Sequence, residues 1–400
     1  MAKNKRPVPR KETPEDKDDV VKQLLCDLAL ELVEQEDSAS MSAVLRQKEL
    51  DFHKLITKTL HQKKDEVLYD AIERARDADV GAWQYLRSQI EEASATVMIR
   101  RDGAAEMEIN AFVIPIFVHS TGGLKEADGF QDAEAFELLV QSFQKGQLES
   151  AKAKVVLLMH AYDLHEIDRI TYSHLNEMVR DAWASMTEKK ISATPGLERS
   201  LTGWAGNDFG AGDAAVELRF LLGFALKRAD DPFYQVPAEE MAADAYFAAR
   251  MDRYQQWTTQ VTPLVQRCLA PDEVQISLNF LYQDLFHGGK QQGMAEYVML
   301  QMMSTINSVL REKALGADQV TVMIAPADVK GAMVLRLNLH AADGGALLVS
   351  QERPLELDTD LQVEVDDMCD ALSTIGIHAI SVARQFDGTG QALEPQRYQT

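Results

Sequence analysis

Residues 95–118 read ATVMIRRDGAAEMEINAFVIPIFV, and within them the apolar pattern stops being helical. Two apolar runs flank Arg100-Arg101-Asp102-Gly103, a turn-forming tetrapeptide, so the pattern predicts a β-hairpin. Upstream the pattern differs. From Asp18 to Ala93 there is no proline and the only glycine is Gly81. Val20, Val21, Leu24, Leu25, Leu28, Leu32 and Val33 recur at helical spacing and predict one buried stripe. Leu45, Phe52, Leu55, Ile56 and Leu60, then Val67, Leu68, Ala71 and Ile72, continue it. The expectation is a bundle of antiparallel helices with short links.

Downstream, helices and strands alternate. A helix is expected near 132–145, a strand at KVVLLMHAY (154–162), a helix at 171–186 and a strand at AAVELRFLLGFAL (214–226). A long helix at 238–269 follows, then a strand VQISLNF (274–280) and a helix over 293–315. QVTVMIA, AMVLRLNLH and ALLVSQ make a meander, the mark of an antiparallel sheet. A helix near 358–375 and a strand IHAISVA (377–383) close the pattern. The fold class is therefore α+β: a tail at 1–17, a helical region at 18–93, and mixed α/β modules with partly antiparallel sheets at 94–230 and 231–400. TVMI occurs at 96–99 and again at 321–324; two independent modules explain four shared residues more simply than a duplication does.

Composition narrows the function. The 400 residues carry a net charge of −22, which repels nucleic acid and anionic membrane unless a local basic patch intervenes. The basic start is such a patch: Lys3, Lys5, Arg6, Arg10 and Lys11 could touch phosphate or an acidic partner. The longest apolar run, INAFVIPIFV at 109–118, is about half a membrane span. Cys26, Cys268 and Cys369 are odd in number and form no CxxC pair, which fits a reducing cytoplasm.

Chemistry is concentrated in HAYDLHEIDRITYSH (160–174). Its imidazoles and carboxylates are the ligands zinc, manganese or iron would take. His160 closes a buried strand, where ligands gather in helix-covered sheets. Asp163 and Glu166 are three residues apart, as are His165 and Asp168, and His119 ends the neighbouring apolar run. A metal-assisted hydrolase using His160, Asp163, His165, Glu166 and His119 is thus one reading. Against it, HExxH would need histidine at position 169, where Arg169 stands, and polar clusters at strand ends commonly serve turns and caps. The glycine loops carry less. TGWAGNDFGAGD (202–213) has a cofactor-like turn but neither follows a strand nor opens a helix. FHGGKQQG (286–293) lacks the order of a phosphate loop and reads as the loop before a helix. HSTGG (119–123) reads as a turn.

FVIPIFVHS (112–120), AYDLHEIDRITYSHLNEMVRDA (161–182), RFLLGFALKR (219–228) and VQRCLAPDEVQISLNFLYQDLF (265–286) resemble, in their order, a family of uncharacterised bacterial proteins known as a conserved domain of unknown function. The resemblance covers about residues 95–385. It implies this order of elements and a bacterial cytoplasmic origin, and it brings no catalytic residues.

The preferred reading is a non-enzymatic cytoplasmic interaction or regulatory protein with a protein partner and no cofactor, because no complete catalytic motif occurs. The hydrolase is the alternative, and weak nucleic-acid association through the basic start is a second. The latter predicts salt-sensitive binding to DNA that vanishes when residues 2–11 are deleted. The expected result of a low-salt binding assay is that the full and truncated chains behave alike, leaving the start a leader.

Overall fold

The computed structural model describes residues 14–36, 43–100, 106–121, 130, 132–146, 153–187, 216–231, 236–269, 274–342, 345–357 and 359–398. The basic residues 3–11, the turn at 101–103, the glycines of 122–123 and the loop at 202–213 lie outside these. The protein is α+β and divides into two compact units, Met1–Gly293 and Met294–Thr400.

The first unit opens with α1 (Pro14–Glu36), α2 (Ala43–His61), α3 (Asp65–Ala78) and α4 (Val80–Ala95). Helix α1 starts at Pro14 rather than after residue 17, as suits a proline in a first helical turn. Leu25, Ala29 and Leu32 of α1 join Phe52, Ile56, Leu68, Trp83 and Leu86 in one core. The expected stripe is therefore shifted: Leu28 is 9% exposed, but Leu24 is 45% exposed and Val20 more so. Asp79 links α3 to α4 and caps α4 by accepting from the Ala82 amide at 2.8 Å.

The sheet of this unit is wholly antiparallel. Strands β1 (Thr96–Ile99), β2 (Met107–Ser120), β3 (Lys154–Asp163) and β4 (Val216–Arg228) lie in the order β1-β2-β4-β3. The hairpin expected at 95–118 is present as the β1–β2 pair. Beyond β1, the same edge of β2 takes β5 (Ile276–Phe280) and β6 (Asp284–Leu285). Pro115 sits opposite the break between them, where its carbonyl accepts from the Leu281 amide at 2.9 Å. A proline lacks a ladder donor, and here no strand faces it on that side.

Both faces of this sheet are covered. Helices α5 (Ala133–Gly146) and α8 (Glu240–Leu269) pack on the face carrying Phe112, Ile114, Ile116, Leu221 and Ala225. The alternate residues Ile109, Ala111 and Val113 are buried as well, and α7 (Tyr172–Thr187) contacts β1 through β4. Residues 231–293 thus give a helix and two strands to the first sheet, so the unit ends at Gly293 and not near 230.

Helix α9 (Phe286–Lys313) begins in the first unit. FHGGKQQG is its first two turns, not a loop before it. A Cβ at Gly289 would lie 2.6 Å from Val113 Cγ2, and one at Gly293 2.8 Å from Phe220 Cε1, so the glycines let the helix lie close on β2 and β4. The loop reading failed because glycine is a poor helix former in isolation, and tertiary packing overrides that preference.

In the second unit α9 and α10 (Leu361–Thr374) cover one face of a sheet of β7 (Val320–Val329), β8 (Ala332–Ala341), β9 (Leu347–Pro354), β10 (Ile380–Val382) and β13 (Gln396–Arg397), ordered β13-β10-β7-β8-β9. Strands β11 (Gln385–Phe386) and β12 (Ala392–Leu393) form a separate small hairpin. Only β10 with β7 is parallel. Lys330 and Gly331, with φ of 57° and 85°, make the tight β7–β8 turn that left-handed residues favour. The two TVMI segments differ in setting: the first is a strand flanking β2, the second runs between β8 and β10.

Two measurements check this packing. Leu28→Ala is expected to cost about 2–5 kcal/mol in urea unfolding, as core leucine truncations do, and Leu24→Ala under about 0.5 kcal/mol. At Gly223 an added Cβ would overlap the Phe112 ring and lie 2.7 Å from Leu157 Cδ2; Gly223→Ala should therefore cost about 1–3 kcal/mol through overpacking.

Candidate functional site

The 160–174 cluster is shaped by a break in strand pairing. Along β3 the register passes from Leu157↔Gly223 to Ala161↔Leu221, so β3 carries extra residues against β4. Such a bulge re-aims side chains, and His160 lies in it. Helix α6 (Leu164–Asp168) follows at once. Its start is a capping box: Asp163 Oδ1 accepts from the Glu166 amide at 2.7 Å, and Glu166 Oε2 accepts from the Asp163 amide at 2.9 Å. The D-x-x-E spacing is the acidic counterpart of the usual capping signature.

His160 joins this cap. Its Nε2 stands 2.9 Å from Glu166 Oε2; because a carboxylate only accepts, Nε2 carries the proton. The ring also meets Tyr162 edge-on, with centroids 4.7 Å apart. Tyr162 is buried, and burial together with the Glu166 charge pushes its hydroxyl well above the usual phenol range. Behind them sits a cation the sequence reading missed. Arg219 of β4 is buried and register-paired with Asp163. Its Nη2 is 3.1 Å from Glu217, and its Nη1 is 3.9 Å from both Asp163 and Glu166. An arginine inside the apolar run VELRFLLGFAL (216–226) was the available signal, since a buried charge needs a partner.

The other candidates lie apart. His165 and Asp168 are exposed, and Asp168 pairs with Lys290 at 2.9 Å. His119 faces Val216 across β4, whereas Ala161, next to His160, faces Leu221. Those five steps are roughly 17 Å at about 3.4 Å per residue, so His119 and His160 cannot share a ligand. Of the set His160, Asp163, His165, Glu166 and His119, the structure brings together His160, Asp163 and Glu166, and leaves His165 and His119 outside. Among the described residues no three His, Cys, Asp or Glu side chains form a group that could hold a metal ion.

A serine–histidine pair exists elsewhere. His287 of α9 has Nε2 2.9 Å from Ser94 Oγ, and Ser94 donates to the Glu91 carbonyl at 2.8 Å. One hydroxyl has one proton, so His287 donates and Ser94 accepts. A nucleophile needs the opposite polarity. Burial above all, then Lys290 and Arg87, lowers the His287 pKa to about 3. The pair is a neutral strut between α4 and α9, reinforced by the Tyr172 ring at 5.6 Å.

What the main cluster offers chemically is an imidazole held by a carboxylate, the orienting half of an acid–base pair. The same contacts also serve the fold: Glu166 closes the cap of α6, holds His160 and lies 3.9 Å from Arg219. No family model matches the chain, and no curated protein or solved structure matches it either.

Two outcomes follow. Arg219→Met leaves Asp163, Glu166 and Glu217 without their central cation and is expected to cost about 3–5 kcal/mol, the usual result of breaking a buried ion network from one side; urea unfolding reads it. His287 binds its proton near pH 3 when folded and near 6.5 when unfolded, so between those values the unfolded chain holds the extra proton. Stability is full above about pH 6.5 and falls as pH drops, by at most about 1.4 kcal/mol per unit. Unfolding curves of the native chain and His287→Gln from pH 7 to 4 should differ by that slope.

Proposed function

We propose that this is a non-enzymatic cytoplasmic protein that works by binding another protein. One observation carries the reading. Residues 240–249 at the start of α8, EMAADAYFAA, form almost three helical turns of mainly apolar residues, and none is buried. Met241 is 79% exposed. A helix apolar around its circumference is ordinarily covered, and methionines suit adaptable protein contacts. Further along, Tyr254, Trp257, Val261 and Val265 anchor the same helix in the core, so the apolar turns are presented on a fixed support.

Other features are consistent with this setting. Cys26, Cys268 and Cys369 are buried, and none forms a disulfide among the described residues, as a reducing compartment allows. Among the described residues no helix is long and apolar enough to cross a membrane. His160, Asp163 and Glu166 contact one another at the cap of α6, and among the described residues no three His, Cys, Asp or Glu side chains form a group that could hold a metal ion.

Affinity capture with the full chain, set against a Met241→Asp/Met251→Asp variant, tests the proposal, with metal analysis of the same preparation. The native chain is expected to retain proteins that the variant loses. Identical captured sets, or stoichiometric metal in the purified protein, would overturn it.

A further inference from the structure

We infer that the exposed start of α8 docks a basic amphipathic helix of its partner. The inference rests on reading residues 240–249 as an interaction surface and adds the chemistry of the occupant. At 3.6 residues per turn, Met241, Ala245, Ala248 and Met251 fall on one stripe, and all are exposed. The opposite side carries Arg250, Tyr254 and Trp257, which are buried. Small alanines between two methionines leave a shallow seat into which the larger apolar side chains of another helix fit, the helix-in-groove mode of recognition.

Charge selects the occupant. Asp244 and Asp252 lie on the same stripe, and Glu239 and Glu240 stand at its start, all exposed. Arg253, the nearest exposed cation in sequence, projects from the flank. A second copy docked about a two-fold axis would bring these carboxylates against their own kind, and like charges set face to face oppose association. An anionic membrane meets the same repulsion. A helix bearing Lys or Arg beside its apolar anchors gains from both features.

The probe is a synthetic amphipathic helix of leucine and lysine, labelled and titrated with the full chain, with a leucine–glutamate helix as its counterpart. Binding of the lysine peptide alone is expected. Met241→Asp/Met251→Asp and, separately, Asp244→Lys/Asp252→Lys should each weaken it by about tenfold or more, equivalent to about 1.4 kcal/mol. Glu73→Lys/Asp77→Lys, at exposed positions of α3 in the same unit, a helix that packs against α1, α2 and α4, should stay within about twofold, since screened charges off the stripe add little. Equal weakening by every charge change would mean bulk attraction to an acidic chain and would overturn the inference, as would no binding. Sedimentation showing a dimer that Met241→Asp dissolves would overturn it in favour of a second copy. If capture depends on Met241 and Met251 while the lysine peptide does not bind, the interaction surface stands and only the basic partner falls.

Discussion

The antiparallel ladder between β2 and β4 is the constraint on which the first unit depends. It runs unbroken from Met107↔Arg228 to His119↔Val216 and is buried on both faces along most of its length. With no solvent available, each strand must find its backbone partners within the sheet. That requirement explains why β2 collects β1, β6 and β5 along one edge while β4 occupies the other. It also explains the tolerance of Pro115, whose missing donor points to a gap in that edge.

Charges inside such a sheet must be matched in place, and β4 carries two. Lys227 is 2% exposed and lies 2.8 Å from Glu108, its register partner. Arg219 is matched by Glu217 on its own strand and by Asp163 and Glu166 at the end of β3. A slip of one residue would turn every side chain of β4 to the opposite face and strand both cations without partners. Buried ion pairs are weak sources of net stability. Their effect here is on register, because the alternatives leave uncompensated charge.

This bears on how the sequence reads. The helical region, the hairpin at 95–118 and the meander near 320–351 were legible because periodicity reports directly on burial. The extent of the first unit was not: nothing local in 231–293 says that α8, β5 and β6 belong to a sheet begun more than a hundred residues earlier. The glycines of FHGG misled for a related reason. Their value lies in what they approach, Val113 and Asp284, and those neighbours are invisible in a one-dimensional pattern. The spacing of the candidate residues was hidden for the same reason. His119 and His160 each sit near the C-terminal end of a strand, and both strands end toward the start of β4; only the register, Val216 against Leu221, separates them. Capping, by contrast, is local. The cap made by Asp163 was legible from its place at a strand end, whereas Arg219 could have been recognised as a buried cation from its apolar surroundings.

A polar cluster becomes a candidate for chemistry when structural needs leave part of it unexplained. At the end of β3 Glu166 at once caps α6, orients His160 and faces Arg219, so each of these contacts has a structural use. The same test applied to apolar residues gives the opposite result at the start of α8. Met241, Ala245, Ala248 and Met251 have no structural need met by their exposure, and a helix this apolar could have been polar on its outer face at no cost to the core beneath Trp257. Unexplained apolar exposure is therefore the observation on which the proposed binding role rests.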